Sequence, residues 1–110
     1  MNSADKYGYR VIWSEEDGEF VGLCAEFPSL SWLDPQQVKA LEGIVNLVGE
    51  TLADMRKNGE TVPEPLSQRN FSGRFVVRTT PMAHRNLTLL AAEAGVSLNR
   101  YINSILAAAH

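Results

Sequence analysis

From Arg74 to Ala109 the chain offers one short strand and two helices, a set that cannot close a core by itself. Residues 74–79, Arg-Phe-Val-Val-Arg-Thr, read as the strand. Thr80-Pro81 then starts a helix, with a threonine to cap it and a proline whose fixed φ suits the first turn. Met82, Leu87, Leu90, Ala91 and Ala94 give that helix an apolar face, and Gly95 ends it. Ser97 caps a second helix, whose apolar face is Leu98, Tyr101, Ile102, Ile105, Leu106 and Ala109. A piece of roughly 40 residues buries too little surface to be stable alone. A second copy supplies what is missing. The two strands pair antiparallel, and the helices interlock across a two-fold axis.

Alternation sorts the strand. Phe75, Val77 and Thr79 share the face that would meet the helices, and Arg74, Val76 and Arg78 share the other. A two-stranded ribbon of this kind fits the DNA major groove. An arginine there can donate two hydrogen bonds to guanine, and Val76 can meet a thymine methyl. The start of the second helix offers the amides of Leu98 and Asn99 to a phosphate, beside the cap Ser97 and the cation of Arg100. The candidate DNA-binding residues are therefore Arg74, Val76, Arg78, Ser97, Leu98, Asn99 and Arg100.

Charge divides the chain in the same place. Residues 1–66 hold five Lys/Arg against twelve Asp/Glu, and residues 67–110 hold five Arg against one Glu. The front is thus −7 and the tail +4. Phosphate repels the first and attracts the second. In the front half, Tyr7, Tyr9, Val11 and Trp13 mark one face of a strand over residues 7–14. Asp17-Gly18 suits a tight hairpin turn, and residues 19–25 form the returning strand. Leu30–Leu33 gives a short third strand. Asp34 can cap a following helix, with Pro35 in its first turn and Gln37 completing a capping-box-like pattern. Its apolar stripe falls at 38, 41, 45, 48, 52 and 55, widened by Ile44 and Leu47. Gly43 and Gly49 favour a helix lying across the small sheet over a coiled coil. Val62-Pro63-Glu64-Pro65-Leu66 is an edge strand or a connector, since proline cannot continue a helix. Three segments result: a domain over 1–66, a linker over 67–73, and a domain over 74–110.

Catalysis finds little support. Glu15, Glu16, Asp17 and Glu19 crowd one hairpin turn, whereas metal-dependent hydrolysis needs carboxylates converging from several elements. His84 has no His, Cys or acid at ligand spacing, and Cys24 reads as a small core residue. Trp13 and Trp32, in an acidic domain, read as core or partner contacts. The chain is expected to be no enzyme and to need no cofactor or metal. With 45% hydrophobic and 21% charged residues it is too apolar for disorder. A lone cysteine, no leader-like start and no run long enough to span a membrane fit a cytoplasmic protein.

These motifs resemble a known family. Gly-Arg-Phe-Val-Val-Arg-Thr-Thr-Pro, His-Arg-Asn-Leu and Ala-Gly-Val-Ser-Leu-Asn-Arg-Tyr-Ile are similar to the ribbon-helix-helix tail of HicB-family antitoxins. Tyr-Arg-Val-Ile-Trp-Ser, Asp-Gly-Glu-Phe-Val-Gly-Leu and Phe-Pro-Ser-Leu resemble that family's opening hairpin. The resemblance implies an α+β chain: a partial RNase-H-like β-β-β-α-β domain that binds toxin, then a β-α-α ribbon-helix-helix domain. It implies inhibition of a small RNA-cleaving HicA-type toxin and repression of the shared operon. The expected partners are operator DNA, that toxin and further copies of the chain, as a homodimer or a higher homo-oligomer. The alternative is a stand-alone ribbon-helix-helix regulator whose front domain senses a ligand or oligomerises.

Overall fold

The computed structural model describes residues 3–108. Met1, Asn2, Ala109 and His110 lie outside them, and with them the expected place of Ala109 on the last helix. The chain divides into two compact units, Met1–Phe71 and Ser72–His110. The described elements make it an α+β protein: a three-stranded antiparallel sheet followed by helices.

The sheet of the first unit comprises β1 (Tyr9–Ser14), β2 (Glu19–Cys24) and β3 (Ser31–Asp34), in the order β1-β2-β3. Its register places Tyr9 opposite Cys24, Trp13 opposite Phe20, and Gly22 between Val11 and Trp32. The hairpin turn occupies Glu15–Gly18, because the strands pair out to Ser14 and Glu19. Its acids are used locally. The Ser14 hydroxyl donates to Asp17 Oδ2 at 2.8 Å, and Trp13 Nε1 donates to Glu15 Oε2 at 2.5 Å.

Helix α1 (Gln37–Lys57) packs on the sheet. Its fully buried row is Ala40, Ile44, Val48 and Leu52, spaced four apart. This corrects the expected stripe: Val38 and Leu41 are exposed, while Val45, Leu47 and Met55 flank the core. The physical reason is two glycines. A Cβ on Gly22 would lie 2.5 Å from the Ala40 carbonyl oxygen, and one on Gly43 would lie 2.0 Å from the Trp32 ring. The helix therefore seats directly on β2 along the Ala40–Ile44 row. The core continues through Tyr7, Cys24 and Phe27, with Tyr7 and Phe27 rings 5.6 Å apart.

The start of α1 also differs from expectation. Asp34 is the last residue of β3, and its Oδ1 accepts from the Gln36 amide at 2.8 Å, so the cap position falls to Gln36 without a side-chain bond. At the other end, Gly59 (φ +72°) lets Glu60 N–H reach the Met55 carbonyl and Gly59 N–H reach that of Arg56, the paired bonds of a Schellman motif.

Residues 62–66 form the connector, not the fourth strand of a β-β-β-α-β order. Among the described residues the sheet stops at three strands. Pro63 and Pro65 have no N–H to give a ladder. Val62 packs on the core, the Tyr7 hydroxyl donates to the Pro63 carbonyl, and a short 3-10 turn follows at Leu66–Gln68.

The second unit holds α2 (Pro81–Glu93) and α3 (Leu98–Ala107). Among its described residues only Ala91 is fully buried. No described helix is long and apolar enough to cross a membrane.

Candidate nucleic-acid interface

Thr80 starts α2 by accepting the Ala83 amide on its hydroxyl at 3.1 Å, with Pro81 in the first turn. The helix ends as the sequence suggests. Gly95 takes φ +71°, Val96 N–H bonds the Ala91 carbonyl at 3.1 Å, and Gly95 N–H bonds that of Ala92. This second Schellman motif turns the chain directly into Ser97, whose hydroxyl accepts the Arg100 amide at 3.1 Å. The cap engages the third helical residue. The amides of Leu98 and Asn99 therefore lie ahead of the helix's own ladder, with the positive end of the backbone dipole behind them. Arg100 is exposed in the same turn.

The strand expected over residues 74–79 is absent from the single chain. A strand exists only through a ladder, and no described segment pairs with this one. Its side chains show no inside and outside: Phe75 is 70% exposed, Val77 72% and Val76 87%. Phe75 and Val77, expected to face the helices, are thus nearly as open as Val76, expected to face away. Arg74 and Arg78 are exposed on the same run, and the Arg74 amide is held by the Ser72 hydroxyl at 3.1 Å. The structure brings Ser97, Leu98, Asn99 and Arg100 together in one helical turn. Arg74, Val76 and Arg78 stand as an open segment beside the first helix's cap.

Residues 57–106 match the model of the HicB family. The match runs from the end of α1 to near the end of α3, just under half of the chain. It makes this part of the chain similar to the HicB family. No curated protein and no solved structure matches the chain. The HicB-matched segment contains every candidate DNA-binding residue. The acidic hairpin lies outside it.

Among the described residues, no group of three or more His, Cys, Asp or Glu is placed to hold a metal. Cys24 is buried, and burial pushes its thiol up, away from the ionised form a nucleophile needs. His84 is exposed and lines a shallow surface dip with Pro81, Arg85, Thr88 and Leu89.

One residue escaped the sequence reading. Glu26 follows β2 and accepts hydrogen bonds from the amides of Gly8 (3.0 Å) and Leu66 (2.8 Å). Desolvation pushes its carboxyl up, but these amide bonds outweigh it, and the group ionises below its ordinary value. A lone glutamate before Phe27-Pro28 carries no pattern that announces partners 18 and 40 residues away.

Proposed function

We propose that this chain is an antitoxin of the HicB type, and that it is not an enzyme. Its second unit pairs with that of another copy, and residues 74–79 of the two chains form an antiparallel ribbon. Arg74, Val76 and Arg78 read operator DNA from that ribbon, while Ser97, Leu98, Asn99 and Arg100 hold the phosphate backbone. The first unit, of partial RNase-H-like type, covers a small basic RNA-cleaving toxin.

The observation that carries this reading is the open segment itself. Phe75 and Val77 are more than two-thirds exposed inside a unit with one fully buried side chain among its described residues. Exposed, unpaired β-forming residues are a liability that proteins remove by pairing. A second copy meets both needs at once, and the two helices are already capped to receive it. The charge division supports the other half. A toxin that grips RNA carries positive charge, and an acidic unit attracts it before contact.

The test is direct. The purified chain is titrated against the DNA upstream of its own gene, and the neighbouring gene's product is co-expressed and pulled down with it. DNA binding as a dimer together with toxin capture supports the reading. DNA binding without any such partner favours the stand-alone regulator.

A further inference from the structure

Four hydrogen bonds close the first unit around its connector. Glu26 Oε2 accepts the Leu66 amide at 2.8 Å, while its Oε1 accepts the Gly8 amide at 3.0 Å. The Ser67 hydroxyl donates to the Lys6 carbonyl at 2.7 Å, and the Tyr7 hydroxyl donates to that of Pro63. A segment from the far end of the unit is thus tied to the residues just before β1. We propose that Glu26 is a positioning residue, a clasp that fastens the connector to the start of β1 and so sets where the tether to the second unit begins.

The chemistry favours a carboxylate. Two amides arrive on one side chain, and an ionised carboxylate offers acceptor sites on both oxygens, whereas a glutamine has one acceptor oxygen. The consequence is tether length. With the clasp closed, regular structure ends at Gln68 and resumes at Pro81. With it open, the loose run would start after Pro63, which Val62 in the core and the Tyr7 hydroxyl still hold. Treated as a flexible coil, the tether lengthens from a span of roughly 20 Å to roughly 23 Å. Local concentration falls with about the −3/2 power of length, so the clasp raises the concentration at which the two units meet each other or a shared partner by roughly 1.7-fold.

The test compares full-length chain with Glu26→Ala and Glu26→Gln. Amide exchange at Gly8 and Leu66 should quicken about tenfold in Glu26→Ala and less in Glu26→Gln. Val48, in the core of α1, should keep its protection. Small-angle scattering should show a larger maximum dimension. Ser67→Ala, a milder cut at the same segment, should quicken Leu66 less, and combining it with Glu26→Ala should be less than additive. Unchanged exchange at Leu66 in Glu26→Ala overturns the clasp. So does a rise shared equally by Val48, which would make Glu26 a general stabiliser, and so does an unchanged scattering dimension.

Discussion

Gly43 lies under the indole of Trp32 so closely that a Cβ at Gly43 would sit 2.0 Å from the ring. Gly22, opposite Trp32 in the sheet, makes the matching approach from β2, where a Cβ would meet the Ala40 carbonyl at 2.5 Å and Ile44 at 2.8 Å. The two positions differ in what must give way. Trp32 is 43% exposed and can swing outward, whereas Ala40 and Ile44 are backbone and core of a buried helix row. At Gly43 alanine also recovers about 0.5–1 kcal/mol of helix propensity. Gly22→Ala should therefore destabilise the first unit by about 1–3 kcal/mol, and Gly43→Ala by clearly less. Denaturant unfolding followed by tryptophan emission measures both. Equal losses would contradict this account of how α1 seats.

That contact also explains where the sequence was misleading. Periodicity correctly predicts a long helix on a small sheet, and the Gly59 and Gly95 stops are legible because glycine at positive φ has a known role there. The buried row is not legible, since Val38 and Leu41 look as apolar as Ile44. Only the glycines on two separate elements decide which face docks. Asp34 misleads for a similar reason: the same side chain that caps helices also bonds the amide two residues on, and here β3 claims it. Residues 74–79 have strand composition and no strand, because a ladder is a property of two segments. The helical half of the candidate site, Ser97 to Arg100, is readable from one residue type at one spacing.

Both helices of the second unit rest on hydroxyl caps. Thr80→Ala and Ser97→Ala should each cost about 0.5–2 kcal/mol. In a unit with so small a core this should appear as lower helix content by circular dichroism at low protein concentration. If the proposed pairing with a second copy holds, higher concentration should restore it, since a partner that binds only the folded unit favours it.

The Glu26 contacts should respond to acid. Its folded carboxyl ionises below the reference value of 4.5. The contribution is therefore complete above that value and is lost as pH falls through the lower folded one. The Leu66 amide proton, followed by NMR from neutral pH downward, should move with a midpoint below 4.5. A midpoint at or above 4.5 would contradict the geometry.

A chain ending at Phe71 retains Glu26, Leu66 and Ser67 and should fold with the unfolding midpoint of the first unit in the full protein. It should lose DNA binding and keep toxin binding, as measured by pull-down and by gel shift. Loss of toxin binding from a folded truncation would move the toxin surface to the second unit.

In the proposed function, Arg74 and Arg78 read DNA from a ribbon made by two chains. The most direct measurement is fluorescence-anisotropy titration of the gene's own upstream DNA with wild type, Arg74→Ala, Arg78→Ala and the double variant. Each single change should weaken binding by about 1–3 kcal/mol, with larger loss in the double variant. Sedimentation should show that the variants still dimerise. Wild-type affinity in the double variant, with the dimer intact, would contradict the account.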